Sequence, residues 1–159
     1  MPRRGAIKKR EVAPDPIYGS ELVTRLINHS MKSGKKSNAR AQVYQALALI
    51  KEKEKQDPLP IFKQAVDNIK PSMEVRPRRI GGAAYQVPMP VKGARQESLA
   101  IRWLIQAAQK RPSKEYHTFA EKLQVEMIEA AHNAGGAVKK REDVLRMAEA
   151  NKAFAHFRW

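Results

Sequence analysis

Apolar residues along most of this chain recur at three- and four-residue spacing, which places them on one face of a helix. Leu22, Val23, Leu26, Ile27 and Met31 predict a first helix, with Ser20 as its cap and Gly34 as its stop. Ala39, Val43, Ala46, Leu47 and Ile50 predict a second, over about 37–55. Asp57-Pro58 supplies the cap and first-turn proline of a third, whose stripe of Leu59, Phe62, Ala65, Val66 and Ile69 closes at Pro71.

The period then changes. Val75 to Val91 reads as two short extended arms joined by Gly81-Gly82, a pair suited to the left-handed angles of a tight hairpin. Pro77, Pro88 and Pro90 exclude a sheet interior but permit a free-standing two-stranded ribbon, which has only edges. A fourth helix follows over about 94–110. Arg95, Ser98, Arg102, Gln106 and Gln109 form one narrow polar strip on it, and Leu99, Ile101, Trp103, Leu104 and Ile105 cover the rest. A helix apolar over most of its circumference belongs at the centre of a bundle. Thr118-Phe-Ala-Glu121 has capping-box spacing for a fifth helix, with Leu123, Met127, Ile128 and Ala131 inward and Gly135-Gly136 at its end. Val144, Leu145 and Ala148 mark a sixth over about 138–150.

The predicted architecture is mainly α. A six-helix, bundle-like domain (18–150) carries a protruding two-stranded β-ribbon (72–91) between helices three and four. A basic N-terminal arm (1–17) precedes it, and an aromatic and basic tail (151–159) follows.

Charge changes the picture from fold to partner. The chain has 31 basic and 16 acidic residues, a formal net charge of +15. Self-repulsion of that size weakens a compact state, whereas a nucleic-acid binder uses it to displace counterions from phosphates. Its distribution is uneven: Arg3, Arg4, Lys8, Lys9 and Arg10 crowd residues 1–10 without an acid, and the stretch Val75–Lys114 holds Glu97 as its lone acid. No cysteine is present, which excludes disulfides and thiolate metal sites. No apolar run approaches the ~20 residues of a membrane span. The N-terminal ten residues lack the apolar stretch of a secretory signal, so the chain is expected to work where it is made.

Candidate chemistry follows the cations. Arg76 and Arg78 share one strand face, and arginine favours forked contacts with phosphate. Arg79 with Tyr85 offers planar groups for stacking on bases. Gly34-Lys35-Lys36-Ser37 fails as a phosphate-binding loop, since His29 stands where its first glycine belongs. It reads instead as a turn presenting two lysines at the amino end of helix two, a position that attracts phosphate. Arg102 lies in the polar strip of helix four, and Lys110, Arg111 and Lys114 straddle its end, where cations serve either the helix dipole or RNA. Lys139-Lys140-Arg141 stands in the first turn of helix six, where the dipole opposes cations; that placement favours a phosphate partner. His29, His117, His132 and His156 show no metal-ligand spacing, and no catalytic constellation or cofactor site is visible. Phe154, Phe157 and Trp159 either fold back on the domain or dock a neighbouring protein.

The order of these features resembles the ribosomal protein seven family of the small subunit, in its bacterial or plastid form. The resemblance rests on Gly34-Lys-Lys-Ser-Asn-Ala39, on Val75-Arg-Pro-Arg-Arg-Ile-Gly-Gly-Ala83, and on the ending from Gly135-Gly-Ala-Val-Lys-Lys-Arg to Ala155-His-Phe-Arg-Trp159. It implies a primary RNA-binding protein of the 3′ major domain of small-subunit ribosomal RNA, monomeric within the ribosome of the cytoplasm or plastid stroma. Lys8, Lys9, Arg10, Lys35, Lys36, Arg76, Arg78 and Arg95 become ribosomal RNA contacts. Arg79, Gly81, Gly82, Ala83 and Tyr85 become a tip facing exit-site tRNA and messenger, with Arg146 and the tail near that tRNA. Small-subunit proteins eleven and nine become neighbours. An architectural DNA-binding protein that inserts its ribbon into a groove is the competing reading from the residues alone.

Overall fold

A computed structural model describes residues 11–157. The arm residues Arg3, Arg4, Lys8, Lys9 and Arg10, and Trp159 in the tail, lie outside the described residues. The described part contains α1 (Glu21–Ser30), α2 (Lys36–Glu54), α3 (Pro58–Ile69), β1 (Met73–Ile80), β2 (Ala83–Pro90), α4 (Ala94–Lys110), α5 (Phe119–Ala131), α6 (Gly135–Ala150) and a terminal 3-10 helix, Lys152–Phe157. The expected order of elements is present.

One apolar cluster draws on all six helices. Val23, Leu26 and Ile27 of α1 join Val43, Leu47 and Ile50 of α2, Phe62 and Ile69 of α3, Leu123 and Met127 of α5, and Val144 of α6. The centre is α4, which buries Leu99, Ala100, Ile101, Trp103, Leu104, Ile105 and Ala108 and packs against α1, α3, α5 and α6. Its start is fastened from two sides, because Glu97 pairs with Arg25 of α1 and lies 3.9 Å from Lys70 at the end of α3.

Helix ends follow local chemistry, with three departures from expectation. Asp57 caps α3 by accepting from the Leu59 amide, and Thr118 with Glu121 forms the capping box of α5. Ser20 makes no side-chain cap bond. The entry to α1 is instead held by Asp15, a buried residue whose carboxylate accepts from the amides of Ile17 and Tyr18 and from the Tyr44 hydroxyl at 2.8 Å. The chain is therefore pinned to the domain before residue 17. Gly34 does not stop α1, which ends at Ser30; it shapes the turn into α2 at φ +73°.

The third departure concerns Gly135-Gly136, which opens α6 rather than closing α5. α5 ends at Ala131, Asn133 takes the left-handed region at φ +55°, and the Ala134 amide donates back to Glu129 O at 2.8 Å. Gly135 takes φ +88°, in the left-handed region that favours glycine, and a Cβ there would stand 3.1 Å from carboxylate oxygens of both Glu126 and Glu129. No helix among the described residues is long and apolar enough to cross a membrane.

Candidate nucleic-acid interface

The ribbon is an antiparallel pair running from Met73↔Pro90 to Ile80↔Ala83, turned by Gly81 (φ +56°) and Gly82 (φ +89°). Two successive positive φ angles define the hairpin turn whose twist matches its strands. Residues directly opposite share a face, so Arg78 lies beside Tyr85 and Arg76 beside Val87, while Arg79 opposite Ala84 faces the other way. Arg79 and Tyr85 therefore do not form one stacking surface. Tyr85 packs instead on the protein's own tail, 5.2 Å from the Phe154 ring and 5.7 Å from that of Phe157. Of the two expectations for those phenylalanines, folding back is the one observed, and the surface they cover is the ribbon. Arg79, Gly81, Gly82 and Ala83 stay exposed at the far end.

At the ribbon's root, Glu74 is only 8% exposed and carries two guanidinium groups. Arg95 of α4 donates to it through Nε at 3.1 Å and through Nη2 at 2.9 Å, and Arg76 donates from the same strand. A buried carboxylate needs such partners. Together they hold Arg76 and Arg95, each still half exposed, side by side at the junction of ribbon and helix.

From Arg95 the polar strip of α4 runs through Arg102, Gln106 and Gln109 to Lys110, roughly 22 Å at the rise of an α-helix. Arg102 bears on α1: burial, and then its positive charge, push the His29 imidazole below its ordinary pKa. At the far end, Gln109 joins Lys32 and Lys35 in lining a recess against the α1–α2 turn. Lys110 joins Lys139 and Lys140 in lining a groove between α4 and α6. Lysines from three separate stretches thus converge on one helix end. Lys35, Lys36, Arg102, Lys110, Lys139 and Lys140 are exposed and make no ion pair among the described residues.

Some cations in the basic stretches have internal partners. Arg111 reaches Glu126 and Glu129 of α5, so its local role is to tie α4 to α5. Arg141 donates to the Asn68 carbonyl oxygen and tethers α6 to α3. Lys139 and Lys140 stand in the second turn of α6, because the helix begins at Gly135, and this relieves their conflict with the dipole. Lys114 is exposed in the α4–α5 connection, and Arg146 is exposed on α6 at 3.8 Å from Asp143. Lys32 was not among the residues singled out from the sequence. It follows α1 in an otherwise unremarkable turn, and only the folding of that turn against Gln109 gives it company.

A small helical domain with a protruding ribbon and exposed, unpaired lysines and arginines gathered along and around one helix has the build of a polyanion-binding module. Comparison with known proteins names the family. Residues 2–152 match the family model for ribosomal protein S7p/S5e. The chain is 55% identical over its whole length to the small ribosomal subunit protein uS7 of Carboxydothermus hydrogenoformans, and to that of Limosilactobacillus fermentum; each relative is covered in full. The uS7 of Thermodesulfovibrio yellowstonii is 56% identical, again over all of both chains. The chain belongs to the ribosomal protein S7p/S5e family, proteins of the small ribosomal subunit and not enzymes.

Proposed function

We propose that this chain is a primary binder of small-subunit ribosomal RNA that organises the 3′ major domain, the head of the subunit. The observation that carries this reading is the α4 strip: its exposed, unpaired Arg102 and Lys110 lie between the Arg76–Arg95 pair on Glu74 at its start and two lysine-lined recesses at its end. Lys35, Lys36, Arg76, Arg78, Arg95, Arg102, Lys110 and Lys114 serve as phosphate contacts, with Arg3, Arg4, Lys8, Lys9 and Arg10 of the arm extending them. Arg111 engages RNA only through the edge that its two glutamates leave free. The mechanism is electrostatic and geometric: several fixed cations displace counterions together, and the RNA is selected by the shape of its junctions.

The ribbon tip, from Arg79 to Ala83, faces exit-site tRNA and messenger, with Tyr85 and Arg146 behind it. The tail, through Phe154, Phe157 and Trp159, completes a surface for neighbouring small-subunit proteins such as eleven and nine. The protein acts as a monomer in the ribosome of the cytoplasm or the plastid stroma. Filter binding of the full chain to the 3′ major domain RNA, against duplex DNA of equal length, tests the proposal. Selective binding to the RNA is expected; equal affinity for both would overturn it in favour of an architectural DNA binder.

A further inference from the structure

The recess between the α1–α2 turn and the end of α4 has features that phosphate contacts alone do not use. It measures about 340 Å³, large enough for a small ligand group. Ser30 is among its lining residues, and the Ser30 hydroxyl oxygen is buried with no hydrogen-bond partner. A buried hydroxyl is unfavourable unless it is bonded. Gln42 spends its carbonyl oxygen on the Ala120 amide at 3.2 Å, which leaves its NH₂ group to serve the recess. Asn38 and Gln109 line the same space, exposed and without an internal hydrogen bond among the described residues. Phe119, half buried at the start of α5, supplies an aromatic wall. Lys35 stands at the edge, where α2 begins without a side-chain cap.

We infer that this recess receives one unstacked nucleotide of the bound RNA, its base lying against Phe119 and its hydrogen-bonding edge read by Asn38, Gln42 and Gln109. The inference rests on the ribosomal RNA reading above and adds a base-reading site to a surface otherwise made for phosphates. Side-chain amides carry both a donor and an acceptor, which suits the edge of a base and is wasted on a phosphate that only accepts. Lys35 and the amino end of α2 hold the phosphate of the same nucleotide. Aromatic stacking with amide readout is how proteins take a base out of an RNA loop.

The test is chemical probing of the 3′ major domain RNA with reagents that modify unpaired base edges, combined with filter binding over a range of salt. The full chain is compared with Asn38→Ala/Gln109→Ala and with Lys35→Ala. Both amides are exposed, so the double variant is expected to melt at the temperature of the parent. The parent should protect the base edge of one unpaired nucleotide. Asn38→Ala/Gln109→Ala should restore its reactivity and weaken binding roughly tenfold with the salt dependence unchanged, since no charge is lost. Lys35→Ala should lower the salt dependence instead. Unchanged base protections in the double variant would overturn the recess while leaving RNA binding intact. A parent that fails to select the RNA would overturn the ribosomal reading itself, and the recess with it.

Discussion

Arg111 crosses from the end of α4 to Glu126 in the middle of α5, with its Nε 2.7 Å from Glu126 Oε2. Glu126 is 1% exposed, and its other oxygen accepts from the Ala137 amide at 2.8 Å, in the first turn of α6. One carboxylate thus joins three helices. Glu129 adds a second acceptor for the same guanidinium, and both acids hold the Arg111 charge more firmly than usual, raising its pKa against the opposing effect of burial. Arg111→Ala strands a buried carboxylate and should lower unfolding free energy by about 3–5 kcal/mol. Urea denaturation checks this; a change near zero would mean that the three-helix junction does not depend on the pair.

The contact of Tyr85 with Phe154 predicts how the ribbon is kept in order. A two-stranded ribbon is marginal alone in water, and aromatic pairs contribute roughly 0.5–1.5 kcal/mol beyond the area they bury. Phe154→Ala should therefore raise hydrogen exchange of the β1 and β2 amides by about tenfold while leaving α4 amides protected. Unchanged ribbon exchange would show that the tail is not its brace.

The capping box of α5 carries a pH signature. Hydrogen bonds from Thr118, backbone and side chain, and then from the His117 amide hold the Glu121 carboxyl below its ordinary value of 4.5. A carboxyl with a lowered folded-state pKa contributes stability that is fully present above the unfolded value and is lost as pH falls through the folded one. The stability difference between the parent and Glu121→Gln should be constant near neutrality and shrink below about pH 4.5. Urea titrations from pH 7 down to pH 3 measure it, and a difference that grows on acidification would contradict the assignment.

Much of this was legible in the chain because the signals were local. Asp57-Pro58, Thr118 to Glu121 and Gly81-Gly82 each specify their own helix start or turn, and the apolar girth of α4 announces a central helix. What escaped depended on long-range partners. Arg111 looks like any cation at a helix end until Glu126, fifteen residues on, is seen to be buried beneath it. Asp15 reads as part of a basic arm, and only Tyr44, twenty-nine residues away, reveals it as an anchor. Gly135-Gly136 fits a helix stop equally well as a start. The left-handed turn at Asn133 (φ +55°) and the Ala137 amide bonded to Glu126 in the first turn of α6 decide between them, and spacing alone shows neither. The partnership of Arg79 with Tyr85 failed for a related reason, since facing depends on cross-strand register.

The most direct test of the account asks whether RNA binding uses a defined face or only the net charge of +15. Lys35→Ala/Arg102→Ala/Lys110→Ala removes three exposed, unpaired cations from the proposed face. Lys51→Ala/Lys53→Ala/Lys55→Ala removes three exposed cations from the other end of α2, more than roughly 20 Å along the helix from Lys35. Affinity for the 3′ major domain RNA is measured for both, and for the parent, across salt concentrations. The account predicts that the slope of log affinity against log salt falls by about 2 for the first variant and stays unchanged for the second. Equal losses in the two variants would show that binding follows net charge, and the interface described here would not exist.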